Sequence, residues 1–271
     1  MSILTVEHLN KAFGGLQAIR EISFQLEPGE LSAIIGPNGA GKTTLFHLIT
    51  GYYRPDSGTV TFDGQRITGL SPYRIARLGI GRSFQRSNIF PRLTVFENVQ
   101  TAVFSHLRQS AHFWAPASNY TASQQRAEEI LASIGLLSKA GQLGGKLALG
   151  DQKRLEIGLA LALKPRLMLL DEPTAGMSPE ETANTVALIN QLAHEFNMTL
   201  LFTEHDMSVV FRISKVIRVL YYGEIIASGT PLEISENPEV QRIYLGEKQG
   251  GHRFRGEWLG PKSVSEAEGK E

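Results

Sequence analysis

Apolar and polar positions along the chain fall into two recurring patterns. Period-two alternation, or a short unbroken apolar run, marks strands over residues 3–9, 22–30, 31–36, 58–67, 166–170 and 198–203. Apolar positions three and four apart mark helices over 41–50, 71–79, 123–135, 150–163, 179–195 and 206–213. Turn and stop residues sit between them: Pro28-Gly29 after the second strand, Gly51 after the first helix, Asp63-Gly64 inside 58–67, and Gly135. Ser71 stands as a helix N-cap with Pro72 in the first turn. The segment "VIRVLYYGEIIASG" reads as a hairpin. Strands alternating with helices predict an α/β domain with a largely parallel sheet. The middle differs: from Val95 to about Leu137 the pattern is mainly helical, broken by "SAHFWAPASNY", which reads as a loop or insertion. From about Glu247 the chain is rich in Gly, Lys, Arg and Glu and reads as a loose tail, with Phe254 and Trp258 inside it.

Composition narrows the function classes. A chain of 271 residues buries a sizeable core in one or two compact units. Its 27 basic and 27 acidic residues cancel, which removes any bulk electrostatic case for nucleic acid or an anionic membrane. Cysteine is absent, so disulfides and thiolate metal sites are excluded, in keeping with a reducing compartment. The first ten residues lack a basic region followed by an apolar run, and no signal peptide is expected. Apolar stretches are cut at Lys164 and Pro165, far short of the ~20 residues of a spanning helix, so any membrane role is expected to be peripheral.

The strongest chemical signal is "GPNGAGKTT", comprising Gly36, Pro37, Asn38, Gly39, Ala40, Gly41, Lys42, Thr43 and Thr44. It fits G-x-x-x-x-G-K-[ST] and lies between a predicted strand and a predicted helix. Glycines let backbone N–H groups turn inward around phosphate oxygens, and the helix N-terminus adds its positive end. Lys42 would reach the β- and γ-phosphates and the Thr43 hydroxyl would ligate Mg²⁺. A plain glycine-rich turn has no use for the lysine and the paired threonines. The second signal is "LMLLDEP", where an apolar strand delivers Asp171 to its C-terminal end. Asp171 would hold Mg²⁺ through water, and Glu172, pointing differently, would orient or deprotonate an attacking water.

Over residues 3–246 the chain resembles the nucleotide-binding subunits of ATP-binding cassette (ABC) transporters. The resemblance implies a P-loop NTPase fold, a RecA-like α/β core with an antiparallel β layer, plus a helical subdomain near residues 95–160 and a flexible tail over 247–271. It also implies ATP and Mg²⁺ as ligands. Gln85 in "GRSFQ" matches the glutamine that joins the Mg²⁺ site to the helical subdomain. His205 in "TEHDM" matches a histidine that contacts the γ-phosphate, and Phe13 in "KAFGGLQAI" an aromatic that stacks on adenine. Taken alone, His205 would be a satisfied surface histidine and Phe13 a core residue. "TAGMSPE" matches a dimer-contact loop. "FGGLQAI", "GRSFQRSNIFPRLTVFENV", an enlarged insertion around 107–122, "LEIG", "DEPTAGMSPEET" and "NPEVQRIYLGE" are most similar to the ATPases of branched-chain amino acid importers. Urea or amide importers and a lipopolysaccharide-export ATPase share much of this set. A non-transport ABC ATPase that acts on DNA or ribosomes is the further alternative; those usually carry long coiled-coil insertions or two cassettes, and this chain shows neither heptads nor a second phosphate loop.

The same resemblance implies a second ABC ATPase subunit, two transmembrane permeases and an external solute-binding protein as partners. No nucleic acid partner is expected, and the location implied is the cytoplasmic face of the inner membrane. Two ATPase subunits would sandwich two ATP molecules, each under the signature helix of the other chain. That signature usually reads L-S-G-G-Q, whereas here it is "LALGD", in which only Leu147 and Gly150 match. Ala148 has no hydroxyl to donate, so phosphate binding falls to backbone N–H groups around Gly150, with Asp151 capping the helix or favouring its dipole. The bland alternative is that this stretch merely begins a helix. A groove near Gln85 and Phe90 is expected to meet the permeases.

Overall fold

Two β layers carry the molecule, and the period-two pattern explains how they stack. The computed structural model describes residues 1–83, 89–106 and 117–247. Gln85, the core of the expected insertion, and Phe254 and Trp258 of the expected tail lie outside the described residues. The first layer is antiparallel, in the order β2 (Leu16–Leu26), β1 (Leu4–Phe13), β4 (Ser57–Phe62), β5 (Gln65–Arg66). The second runs β10 (Glu224–Gly229), β9 (Val216–Tyr221), β3 (Leu31–Ile35), β8 (Thr199–Thr203), β7 (Leu167–Asp171), β6 (Ile80–Arg82). All its neighbouring pairs are parallel except β10–β9. This is the expected α/β core with an antiparallel layer.

Successive side chains of the central strands point to opposite faces. Ile34, Leu169 and Leu201 join one apolar cluster with the antiparallel layer and helix α1 (Lys42–Ile49). Ile35, Leu170 and Phe202 join the other, with the helices of the opposite face. Each such side chain contributes roughly 1.5–3 kcal/mol on burial. The central strands are buried on both faces, so they read in sequence as continuous apolar runs.

Helices α3 (Val95–His106), α4 (Ala117–Ser133) and α5 (Leu149–Leu161) occupy the region predicted as a helical subdomain. Buried Val99, Ile130 and Leu155 belong to the same cluster as Leu170 and Phe202, so these helices share their core with the sheet. Helix α6 (Pro179–Glu195) begins with a capping box of Ser178 and Glu181 and matches its predicted span.

Four local expectations change. β2 starts at Leu16 rather than Ile22, because its outer half pairs with β1 while burying only Ile19 and so shows no alternation. β6 has three residues, too few for a pattern. α4 begins inside the stretch read as a loop. Ser71 does occupy the N-cap position of α2 (Pro72–Leu78), but its side chain makes no capping hydrogen bond. Beyond the hairpin, α7 (Met207–Ile213) having preceded it, α8 (Pro231–Glu236) and α9 (Pro238–Glu247) follow; the Thr230/Glu233 capping box and Pro231 are a start signal that could have found α8.

Candidate active site

The loop between β3 and α1 is shaped by what its glycines leave out. A Cβ on Gly36 would lie 2.0 Å from the Leu220 carbonyl oxygen. At Gly41, the N-cap of α1, φ is 110° and a Cβ would lie 2.6 Å from the Ala18 carbonyl oxygen. The loop therefore passes between β9 and β2 with no room for side chains at either end. The Lys42 ammonium donates to the carbonyls of Gly36 at 2.5 Å and Pro37 at 3.0 Å, which holds it over the loop. Asn38, Gly39, Ala40, Gly41, Lys42, Thr43 and Thr44 line a cleft of about 400 Å³ together with Phe13 and Glu172. That volume suits a nucleotide-sized ligand. Gly36 and Pro37 form the base of the loop rather than the cleft wall. Phe13 lines the cleft, 41 % exposed rather than in the core, with Tyr53 edge-on to its ring at 5.1 Å.

The acidic pair sits at the C-terminal end of β7. Asp171 is almost fully buried and opposes Thr203 of β8 in the parallel register. Its Oδ1 accepts from the Thr203 hydroxyl at 2.7 Å, and its Oδ2 pairs with the Arg82 guanidinium at 3.3 Å. Arg82 also donates to the Thr50 hydroxyl at 3.1 Å. Burial holds Arg82 below its usual value, and the charge and hydrogen bond of Asp171 oppose this only in part. Glu172 turns away from the strand direction at φ 51°, its N–H donating to the Thr203 carbonyl at 3.1 Å. Its Oε1 lies 2.7 Å from His205 Nε2, so the structure joins two residues 33 positions apart. Arg82, Thr203 and Glu204 went unread in the sequence. Glu204 is buried and accepts from the Thr174 N–H and hydroxyl and from the His205 N–H, tying the turn after Glu172 to the segment that follows β8 and carries His205. Glu204 follows the apolar run of β8 directly, among polar neighbours, and carries no sequence signal of its burial.

The side chains present suit Mg²⁺ held mainly through a ligand's phosphates. Among the described residues, no group of three or more His, Cys, Asp and Glu could hold a metal. Thr43, exposed, lines the cleft, whereas the Asp171 carboxylate is buried against Thr203 and Arg82 and does not line it; both are hard oxygen donors, and Mg²⁺ commonly binds through one or two carboxylates plus phosphate oxygens and water.

Gly150 is not among the residues lining this cleft. It lies in the first turn of α5, whose N-cap position is Ala148 without a side-chain bond. Asp151 does not cap the helix: its carboxylate pairs with Lys139, although a first-turn acid still complements the helix dipole. Glu181 lies against Gly150 instead, where an added Cβ would be 3.0 Å from its Oε1. The Ser178 N–H and hydroxyl hold the Glu181 carboxyl below its usual value, helped by the Gly150 N–H and the charge of Arg154.

Comparison with known proteins agrees with this geometry. The family model for ABC transporters matches residues 19–175, and one for branched-chain amino acid ATP-binding cassette transporters matches residues 224–249. The high-affinity branched-chain amino acid transport ATP-binding protein LivG of Escherichia coli K12 is 42 % identical over 253 residues, covering 90 % of this chain and 98 % of LivG. The lipopolysaccharide export ATP-binding protein LptB of Haemophilus influenzae is 34 % identical, with 92 % and 99 % covered. An ATP-binding cassette of an ABC transporter, solved in its ADP conformation, superposes with a TM-score of 0.79 at 30 % identity, covering 91 % of this chain and 99 % of that one. With a phosphate loop and Glu172 lining one cleft, His205 paired to Glu172, and relatives matched over nearly their whole length, the chain belongs to the family of ABC transporter ATP-binding proteins.

Proposed function

We propose that the chain is the ATP-hydrolysing subunit of an ABC importer for branched-chain amino acids. The observation that carries the ATPase reading is the Glu172–His205 pair, 2.7 Å apart, beside the cleft of the phosphate loop. Likeness to LivG and the second family model support the cargo, and the weaker likeness to LptB ranks export below import. Phosphates would rest on the backbone N–H groups of residues 38–43 with Lys42 balancing their charge. Phe13 would stack on adenine. Thr43 and Asp171, with Gln85 by resemblance, would hold Mg²⁺, which would neutralise charge developing on the β- and γ-oxygens. Glu172 would take the proton of the attacking water, and His205 would fix the carboxylate while reaching the γ-phosphate.

Two ATPase subunits, this chain with a copy or a different one, would enclose the nucleotides head to tail, with Gly150 of one facing the phosphates on the other. Phe90 is 51 % exposed, in a turn that buried Asn98 staples through bonds to the Phe90 N–H and carbonyl. That exposed ring supports a permease contact, through which the chain would sit at the cytoplasmic face of the inner membrane and answer to an external binding protein. Among the described residues no helix is long and apolar enough to cross a membrane.

Glu172→Gln tests the assignment. ATP binding should persist while turnover falls by ~10²–10⁴-fold. Near-normal hydrolysis in the assembled transporter would remove Glu172 from the role. Uptake of labelled leucine that is unchanged when this subunit is deleted would remove the cargo.

A further inference from the structure

Tyr222 occupies a backbone position that a bulky side chain seldom holds. β9 and β10 pair Tyr221 with Glu224, which leaves Tyr222-Gly223 as a two-residue hairpin turn. Their φ angles are 44° and 83°. Turns with both central residues in the left-handed region favour Asn-Gly, Asp-Gly or Gly-Gly. An aromatic residue there is strained, and burial does not offset the strain, since Tyr222 is 71 % exposed. Strain retained at one position points to a use for the side chain.

The turn is also fixed at the site. The Gly223 N–H donates to the Ala40 carbonyl of the phosphate loop at 2.9 Å, and the Arg20 N–H donates to the Gly223 carbonyl at 2.8 Å. The Tyr221 ring braces Tyr222 edge-on, with centroids 4.4 Å apart. Tyr222 thus lines the nucleotide-sized cleft from a hairpin tied to both the phosphate loop and β2. Lining residues divide by chemistry. Backbone N–H groups, Lys42, the threonines and Glu172 suit phosphates and water. Phe13, Leu16 and Tyr222 are exposed apolar or aromatic groups that offer nothing to a phosphate. A purine base, planar and with apolar faces, suits such a wall.

We propose that Tyr222 is a nucleotide-contacting residue, its ring forming a second aromatic wall at the base end of the cleft. The inference rests on the reading of this cleft as the ATP site with Phe13 at the adenine. It adds a contact from the opposite end of the chain, and it explains why a strained tyrosine stands where asparagine would be at ease.

The test is calorimetric titration of the full chain with Mg-ADP and, separately, with Mg-pyrophosphate, which has no base. Tyr222→Asn suits the turn and should fold with an unfolding midpoint equal to or above that of the parent. It should weaken Mg-ADP binding about tenfold, the order of one lost aromatic–base stack, and leave pyrophosphate within twofold. Tyr222→Phe should retain the parent affinity for both. Unchanged Mg-ADP affinity in Tyr222→Asn overturns the proposal. So does an equal loss for both probes, which would mean that the turn acts only on the phosphate loop through Ala40. Phe13→Ala separates the premise: if it weakens Mg-ADP and Tyr222→Asn does not, only the Tyr222 assignment falls. If neither variant changes Mg-ADP binding, the base does not lie at this end and the underlying reading falls too.

Discussion

Replacing Arg82 with Met should destabilise the chain through Asp171. Both side chains are nearly buried, at 5 % and 2 % exposure, and they pair at 3.3 Å. The methionine keeps most of the arginine stem, so packing changes little while the charge goes. Asp171 would keep the Thr203 hydroxyl on Oδ1 and lose its counter-charge on Oδ2. Breaking a buried pair by removing one partner costs about 3–5 kcal/mol. At 2–4 °C per kcal/mol for chains of this size, the melting midpoint should fall by about 10 °C. The assay is urea unfolding of the parent, Arg82→Met, Asp171→Asn and the double variant. Each single variant strands a buried charge and the double strands none, so the double should lose clearly less than the sum, with a coupling of about 2 kcal/mol. Mg-ADP should recover more stability in Arg82→Met than in the parent, because the cation would return a positive charge beside Asp171. A loss under about 1 kcal/mol, or simple additivity, would show that the pair is not coupled as the geometry requires.

Phe90→Ala should cost under about 1 kcal/mol of stability, since the ring is half exposed. It should weaken stimulation of ATPase by loaded binding protein while basal hydrolysis stays near normal, measured in reconstituted transporter; equal loss in both assays would refute the permease contact. Burial first, and then the charge of Arg82, hold His47 below its usual value against the opposing pull of Asp171. The unfolded chain therefore binds more protons below about pH 6.5, and stability should fall as pH drops from there; His47→Gln should flatten that slope in urea titrations at several pH values. Glu181→Ala removes the α6 capping box and the carboxylate against Gly150, and should lower the unfolding midpoint in urea. Amide exchange should quicken at the starts of both α6 and α5, whereas Ser178→Ala should quicken it at α6 alone. The lowered value of Glu181 means that its contribution holds at neutral pH and is lost as pH falls through the carboxylate range.

Much of the fold was legible because its signals are local. The span of α6 followed from its capping box and apolar spacing, and β3, β7 and β8 from short apolar runs bounded by turns. The glycines, Lys42 and Thr43 identified the phosphate loop because few sequences between a strand and a helix have any other use for them. The outer half of β2 and the three residues of β6 were not legible, because pairing with a neighbouring strand forms them and their own patterns carry no period.

By itself, then, the sequence determined most of the elements, the phosphate loop and the acidic strand end, since propensity, turn chemistry and side-chain spacing act within a few residues. Only the tertiary structure decided which distant groups meet. The register of β7 on β8 sets Thr203 against Asp171, and β6 beside β7 brings Arg82 to the same carboxylate. The turn after β7 and the end of β8 bring Glu172 to His205, and the hairpin of β9 and β10 carries Tyr222 to the cleft. These contacts are set by strand order and by burial of both sheet faces, which depend on the whole chain at once and leave no periodic trace at the residues concerned.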